Sequence, residues 1–279
     1  MLKHGRGEIA RHQLLPAADV HGALDGVFQF ADVAGPRVSV EQVPRFGIDG
    51  LHALAERRRK TCAGNGSPEV PRRRAIELHS AEAFVHVRDS SRAAVLHALD
   101  LGARGIIIPD VQSVEEARRL VEYAKYYPLG ARGFAFSRSA KYGFLPELKQ
   151  IGDYFTATNQ RTILMPQCET AGALEHIEEI AALDGIDGIF VGPYDLSVAL
   201  GAPARFATPR FAEALDRVIA ACRASGKLAF IYANTMPEAR AYFAQGYQGA
   251  AIGTDTAFLV KAIQGMLQGV KGHSKKTQR

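Results

Sequence analysis

The sequence predicts a (β/α)8 TIM barrel, a closed ring of eight parallel strands, each followed by a helix. From residue 83 onward, short strand-like runs alternate with amphipathic helical segments. Runs such as Ile106–Ile108 and Ile189–Val191 are apolar on both faces. That pattern is typical of parallel strands covered by helices on either side. Counting two weaker units near the N-terminus, eight units span roughly 250 residues, the usual length of such a barrel.

The elements follow one another regularly. Strands are expected at Ala83–Val87, Gly105–Ile108, Thr162–Gln167, Gly188–Val191, Leu228–Tyr232 and Gly249–Gly253. Helices are expected at Ser90–Leu101, Ser113–Tyr126, Thr170–Leu183, Tyr194–Leu200, Pro209–Ala224, Met236–Gln245 and Thr256–Leu267. The weaker strands are Val27–Phe30 and Leu51–Ala55, with a helix at Val38–Phe46 between them. Residues 129–158 are additional: a glycine-rich loop and a helix near Leu145–Asn159, which could cover part of one barrel end.

Length and charge limit the domain organisation and the binding functions that this chain can have. A chain of 279 residues with 47% hydrophobic residues suits one barrel domain over residues 1–270, followed by a basic tail, 271–279, expected to be disordered. The net charge of +5 is concentrated in Arg57–Lys60, Arg72–Arg74 and this tail. No aromatic residues or recognition helix accompany these runs, so we expect solvated charge and no nucleic-acid partner. No Gly-x-Gly-x-x-Gly follows a strand, which disfavours a dinucleotide-binding fold.

The compartment follows from three further features. No apolar run reaches the roughly 18–20 residues of a membrane span. The first residues, Met-Leu-Lys-His-Gly-Arg-Gly-Glu, lack the apolar region of a signal peptide. The three cysteines, Cys62, Cys168 and Cys222, have no metal-type spacing. We therefore expect a cytoplasmic protein with no membrane partner.

Polar residues stand where the strands end, and barrel enzymes work at that end. Gln167 and Glu169 end one strand, and Asp195 follows the next. Two strand-end carboxylates form half of a site for a hard divalent cation. Arg88 follows an earlier strand and could hold an anionic substrate. Each charged residue also has a structural explanation, since the carboxylates could stabilise helix N-termini and Arg88 could pair with Asp89 on the surface.

These motifs resemble the HpcH/HpaI aldolase and citrate-lyase family, which comprises metal-dependent class II pyruvate aldolases. The resemblance covers roughly residues 75–265 and depends most on Gln-x-Glu-Thr at 167–170 and Gly-Pro-x-Asp-Leu-Ser at 192–197. Further similarity lies in Val87-Arg88, in Ile108-Pro109 and in Gly130-Ala131-Arg132-Gly133.

The resemblance implies a (β/α)8 barrel and a specific set of roles. Glu169 and Asp195 would hold Mg²⁺, Mn²⁺ or Co²⁺, and pyruvate would chelate that metal through its keto and carboxylate oxygens. Arg88 would stabilise the enolate formed when a carbon–carbon bond is cleaved or made. Gln167 would orient pyruvate, and the backbone at Gly192-Pro193 would line its carboxylate pocket. Members are commonly hexamers, so we expect a homo-oligomer, a trimer of dimers, with the last helix packing across subunits.

The second strand departs from the family pattern Asp-x-Glu-His, whose Asp–His pair serves acid–base catalysis. One alignment places Leu54, Ala55, Glu56 and Arg57 at those positions, so that Arg57 stands where the family has its histidine. The other takes Asp49 to His52 as the motif and restores both Asp and His. It also leaves Pro44 inside the strand and removes the helix before it, so we prefer the first.

Three functions follow from these patterns. The first is a lyase that cleaves or forms 2-oxo-acid aldols with a small-molecule aldehyde partner. The second is a barrel that binds metal and a 2-oxo acid but has altered or lost aldolase chemistry. The third is a basic module that binds nucleic acid or anions through Arg57–Lys60 and the tail. The aldehyde specificity would reside on loops that the sequence does not place.

Overall fold

A computed structural model of the chain describes Ile76 and residues 81–274. Within these residues, six parallel strands form one curled sheet in chain order. They are β1 (Phe84–His86), β2 (Gly105–Ile108), β3 (Ile163–Cys168), β4 (Gly188–Val191), β5 (Leu228–Ala233) and β6 (Gly249–Ile252). The mixed α/β class and the parallel order are confirmed. The two early strands and the helix Val38–Phe46 lie outside the described residues, so the closed eight-stranded ring stays a prediction.

Helices follow the strands. They are α1 (Arg92–Asp100), α2 (Val114–Ala124), α3 (Ile151–Arg161), α4 (Ala171–Glu175), α5 (Ile177–Ala182), α6 (Pro193–Ala199), α7 (Pro209–Ser225), α8 (Met236–Gln245) and α9 (Asp255–Ser274). Several begin at a hydroxyl side chain: Ser113 accepts from the Glu116 N–H at 3.2 Å and Thr170 from the Ala173 N–H at 3.0 Å. Such caps satisfy backbone donors that have no partner within the helix. None of the described helices is both long enough and apolar enough to cross a membrane.

The single helix expected over Thr170–Leu183 is wrong, because α4 and α5 are separate. Their junction is His176, whose φ of −108° and ψ of 21° are not helical. The direction of α4 is fixed by Gly172, where an added Cβ would collide with the backbone carbonyl oxygen of Gln112. Beyond the junction, α5 turns Ile177 and Ile180 into the core.

The core has two layers. The larger one lies between the outer face of the sheet and the helices, and Leu120, Ile189 and Val218 are among its residues. The smaller one fills the inside of the curled sheet with Phe84, Ile107, Met165, Phe190, Phe230 and Ala251. Since alternate residues of a strand point to opposite faces, the residues two positions further along each strand project just above this inner layer.

The additional segment after α2 has its own small core. It contains two 3-10 helices, Arg138–Gly143 and Pro146–Lys149, followed by α3. Tyr126 stacks on Phe155 at 4.4 Å between ring centroids, and Phe134 and Tyr154 pack against the same rings. The last helix, α9, continues to Ser274, so the basic tail expected from residue 271 begins inside it.

The amino-terminal end of the sheet is joined by a buried lysine. Nζ of Lys125 donates to the carbonyl oxygens of Asn159 and Thr162, at 3.1 and 2.5 Å, and to Oδ2 of Asp187 at 2.8 Å. Thr162 precedes β3 and Asp187 precedes β4. This network therefore joins the starts of two strands. It lies at the end of the sheet opposite to the carboxyl ends of the strands, where barrel enzymes have their sites.

Candidate active site

A cavity of about 150 Å³ opens above the inner core layer, at the carboxyl ends of the strands. It is lined by His86, Gln167, Phe190, Gly192, Pro193, Tyr194, Asp195, Tyr232, Ala251, Gly253 and Thr254. Phe190 and Ala251 belong to the inner layer, so they form an apolar floor. The polar residues come mainly from strand ends and from the loops that follow them. Apolar walls with a few convergent polar groups are the usual composition of a small-molecule site.

Gln167 and Glu169 form the polar side of this site. Both are buried, with 6% and 2% of their surface exposed. Nε2 of Gln167 donates to Oε2 of Glu169 at 2.5 Å. Charge-assisted hydrogen bonds of this kind are short and hold the carboxylate in one orientation.

The other oxygen of Glu169 is held by the loop after β2. The backbone N–H of Asp110 donates to Oε1 of Glu169 at 3.0 Å. Asp110 adopts a left-handed conformation, with φ of 57°, which costs a non-glycine residue conformational energy. Asp is among the residues that tolerate this conformation best. Strain at this position therefore serves to aim a backbone donor at the buried carboxylate.

Gly192 provides the room for this pair. The Gly192 N–H donates to the Cys168 carbonyl at 3.3 Å, which brings the end of β4 beside the end of β3. A Cβ at Gly192 would collide with Nε2 of Gln167 and would lie 2.6 Å from Oε2 of Glu169. The absence of a side chain at this position is thus a condition for the geometry of both residues.

Asp195 stands in the first turn of α6, which begins directly after Gly192, and it lines the cavity. It is exposed, whereas Glu169 is buried. Within residues 81–274, no group of three or more His, Cys, Asp or Glu side chains is arranged to hold a metal. The described part of the site therefore offers two carboxylates from neighbouring strand ends, and carboxylate oxygens suit a hard divalent cation.

Two further groups beside the site stay protonated at neutral pH. Burial raises the pKa of the Cys168 thiol to about 12, so Cys168 is not a thiolate nucleophile despite standing between Gln167 and Glu169. Burial also raises the pKa of Tyr232, which lines the cavity as a neutral hydroxyl. Neither Cys168 nor Tyr232 is therefore an activated nucleophile for covalent catalysis.

The structure brings most of the predicted site residues together. Gln167, Gly192, Pro193 and Asp195 line the cavity, and Glu169 contacts Gln167 beside it. His52 and Arg57 lie outside the described residues.

Arg88 is not brought to the cavity. Its side chain is 87% exposed, and its Nε lies 3.2 Å from Oδ2 of Asp89. This is the surface pair that its sequence neighbour suggested. Since β1 ends at His86, Arg88 stands two residues beyond the strand, in the following turn.

His86 is a residue of the cavity that the sequence motifs did not indicate. It is half-buried, lines the cavity and has its Nε2 2.7 Å from Oε1 of Gln167. The alternation of the strand was a usable signal. His86 lies two residues after Phe84, which occupies the inner core layer, so both side chains point inside the curled sheet.

Comparison with known proteins agrees with this architecture. The sequence model of the HpcH/HpaI aldolase/citrate lyase family matches residues 12–262. The chain belongs to this family. Membership confirms the expected class of enzyme, an aldolase acting as a carbon–carbon lyase.

Individual HpcH/HpaI relatives cover most of the chain. A 2-keto-3-deoxy-L-rhamnonate aldolase from Salmonella gallinarum is 33% identical over 195 residues, which are 69% of this chain and 71% of that protein. The crystal structure of an HpcH/HpaI aldolase from Desulfitobacterium hafniense has a TM-score of 0.67 at 27% identity, covering 73% of this chain and 77% of its own. The crystal structure of a family protein from Burkholderia cenocepacia has a TM-score of 0.66 at 31% identity, and the match covers 72% of this chain and 79% of that protein.

Proposed function

We propose that this chain is a divalent-metal-dependent aldolase that cleaves or forms 2-oxo-acid aldols. Glu169 and Asp195 would hold Mg²⁺, Mn²⁺ or Co²⁺. The observation that carries the proposal is the buried Glu169 carboxylate, whose two oxygens are oriented by Gln167 and by the Asp110 N–H. A buried carboxylate is costly unless it is hydrogen-bonded or binds a cation. A second carboxylate in the adjacent first helical turn, Asp195, makes the donor set suitable for such a cation.

The substrate class is supported by the cavity and by the name of a relative. The cavity has a volume of about 150 Å³, which accommodates several water molecules and thus a three-carbon acid. The name of the Salmonella relative describes an aldolase that acts on a 2-keto-3-deoxy sugar acid. We therefore assign this chain a substrate of that class, a 2-oxo acid with a hydroxyl at the carbon where the chain is cleaved.

The residues of the chain divide the work. A bound divalent metal supplies Lewis-acid stabilisation of developing negative charge. Gln167 orients the 2-oxo acid through its amide, while the backbone at Gly192 and Pro193 lines its carboxylate pocket. Phe190 and Ala251 exclude water from beneath the substrate. Exclusion of water strengthens each electrostatic contact above them.

We further propose one closed (β/α)8 domain over residues 1–270 and a homo-oligomer, a trimer of dimers. Support for the oligomer comes from α9, whose apolar side chains Phe258, Leu259, Ile263 and Leu267 are all exposed. Apolar residues at this spacing form one stripe on a helix, which becomes stable when another surface covers it. A second copy of the chain is the proposed cover. A cytoplasmic location and the absence of nucleic-acid and membrane partners stay predictions.

The position of Arg88 supports a second candidate: binding of metal and a 2-oxo acid with altered or lost aldol chemistry. Arg88, expected to stabilise the enolate, is instead exposed beside Asp89. Metal-dependent decarboxylation of oxaloacetate separates the two candidates, because decarboxylation does not need an acid–base pair for the bond that breaks. Decarboxylation without aldol cleavage would favour the second candidate.

The primary proposal is tested by measuring the cleavage of a 4-hydroxy-2-oxo acid with Mg²⁺, Mn²⁺ or Co²⁺ present, and again after a chelator has removed the metal. Glu169→Gln and Asp195→Asn should each abolish metal-dependent cleavage and weaken metal binding measured by calorimetry. Glu213→Gln, at an exposed position of α7, is the matched control and should behave as the parent. Unchanged metal affinity in both site variants would contradict the proposed metal site.

A further inference from the structure

Two tyrosines line the cavity, and the proposed function gives neither of them a task. Tyr232 belongs to β5 and lies two residues after Phe230, so its side chain points inside the curled sheet and packs against the inner core layer. Tyr194 is exposed and lies in the first turn of α6. Each brings a phenol hydroxyl, which can donate and accept a hydrogen bond, to a cavity whose floor is apolar.

The order of the strands separates Tyr232 from the candidate metal ligands. In the sheet, β4 lies between β3 and β5. Glu169 follows β3, Asp195 follows β4 and Tyr232 belongs to β5. A cation between the two carboxylates therefore has Tyr232 on the far side of Asp195. A 2-oxo acid that chelates this cation occupies the side of the carboxylates, and the aldehyde half of the substrate is the part that extends toward the tyrosines.

The hydroxyl of Tyr194 is directed by a chain of hydrogen bonds. It donates to Oδ1 of Asn234 at 3.3 Å. Oε2 of Glu238 accepts from the Asn234 backbone N–H at 2.7 Å and from its Nδ2 at 3.3 Å, which fixes the orientation of the amide. An edge contact with Phe206, at 5.1 Å between ring centroids, holds the Tyr194 ring itself. Because the proton of this hydroxyl is used by Asn234, its oxygen offers the cavity an acceptor.

The hydroxyl of Tyr232 has the complementary role. It makes no hydrogen bond with any other residue of the described part of the chain. Burial, and to a smaller extent the neighbouring Tyr194 phenol, raises the pKa of Tyr232, so the hydroxyl keeps its proton at neutral pH. A half-buried donor with no protein partner in this region gains most from a ligand that accepts its hydrogen bond.

We propose that Tyr194 and Tyr232 select the aldehyde half of the substrate, and that they take a neutral aldehyde with a hydroxyl on the carbon next to its carbonyl group. This inference rests on the proposed function. The substrate hydroxyl donates to the oxygen of Tyr194 and accepts from the hydroxyl of Tyr232. An alkyl group can do neither and leaves the Tyr232 donor buried without a partner, which disfavours its binding. The described residues that line the cavity include no lysine or arginine to pair with an anionic aldehyde.

Two substrates of equal size test this selection. Cleavage of 4,5-dihydroxy-2-oxopentanoate releases glycolaldehyde, and cleavage of 4-hydroxy-2-oxohexanoate releases propanal, so the two differ by a hydroxyl in place of a methyl group. The parent should favour the first by about 10–100-fold in kcat/KM, the discrimination expected from two hydrogen bonds. Tyr194→Phe and Tyr232→Phe should each reduce this preference by about 3–10-fold. Tyr123→Phe is the matched control, because Tyr123 is a half-buried residue of α2 that packs against the larger core layer, and it should keep the parental preference.

The affinity for Mn²⁺, measured by calorimetry, should be parental in each variant. A reduced preference that comes with lost metal affinity would show a structural role for the tyrosines and overturn the inference. Equal cleavage of both substrates by the parent, or a preference that survives in Tyr194→Phe and Tyr232→Phe, would also overturn it and leave the proposed aldolase intact. Absence of cleavage of either substrate by the parent with every metal would instead overturn the proposed function, and this inference with it.

Discussion

Gly192 lies so close to Glu169 that a methyl group at residue 192 would stand 2.6 Å from Oε2 of the carboxylate. Contacts this short force one of the partners to move. Glu169 is buried and held at both oxygens, so the displaced group is the hydrogen-bonded pair of Gln167 and Glu169. The local shape of the chain at Gly192 therefore determines the geometry of the candidate metal ligand.

Gly192→Ala should weaken metal binding by about 10–100-fold, the effect typical of disturbing the groups that orient a ligand. Calorimetric titration with Mn²⁺ measures this change. Gly152→Ala is the control, because a Cβ at Gly152 meets nothing within 4 Å. Parental metal affinity in Gly192→Ala would mean that Glu169 does not bind the metal in the orientation described.

The preferred alignment of the second strand, with Arg57 at the histidine position of the family, predicts that aldol cleavage is weak relative to proton exchange or decarboxylation. Arg57 would replace a histidine base, and a guanidinium stays protonated near neutral pH. General acid–base catalysis contributes about 10²–10⁴-fold, so its absence should be measurable. Assays with a 4-hydroxy-2-oxo acid should show that His52→Ala behaves as the parent and that Arg57→His raises the cleavage rate. A collapse of cleavage in His52→Ala with metal still bound would assign the pair to Asp49 and His52.

Acidic residues substituted into the exposed apolar stripe of α9 should dissociate the oligomer. Leu259→Asp and Leu267→Asp place carboxylates on side chains that are 62% and 54% exposed in the isolated chain. Folding should therefore tolerate them, while burial against a second copy should not. Light scattering should give a hexamer for the parent and smaller species for the variants, with Ile151→Asp on α3 as the control. A parent that is monomeric at micromolar concentration would contradict the oligomer.

Lys125→Met should lower the free energy of unfolding by about 2–3 kcal/mol. Removing one partner of a fully buried ion pair costs about 3–5 kcal/mol, and the 32% exposure of the Asp187 side chain reduces that cost. Urea denaturation measures the change. Arg217→Met, which removes an exposed pair with Glu178, should cost less than about 1 kcal/mol. Equal losses in the two variants would show that burial of Lys125 adds nothing.

The sequence predicted the strands well, because their apolar runs are short and bounded by polar residues. β2 and β4 were predicted to the residue, and β3 and β5 within one residue at each end. The junction at His176 was not predicted from the sequence, since neither glycine nor proline stands at it to mark the end of a helix.

The site was predicted less evenly. Strand order and motif spacing placed Glu169 and Asp195 at neighbouring strand ends, where the structure has them, and their role as metal ligands stays a prediction. His86 was missed because a histidine within an apolar strand has no local signal of its partner, Gln167, 81 residues away. Arg88 was selected for its charge, but the end of β1 at His86 leaves it outside the cavity.

The missing side chain at Gly192 also limits how this enzyme could acquire new substrates. Any larger residue there disturbs Glu169, so chemistry and substrate choice cannot be separated at that position. Tyr194 and Thr254 line the same cavity, and neither contributes a side-chain hydrogen bond to Glu169 in the described structure. Laboratory evolution toward a bulkier aldehyde should therefore change Tyr194 and Thr254. The wall of the cavity that these two residues form can adapt to a substrate, whereas the wall at Gly192 is fixed.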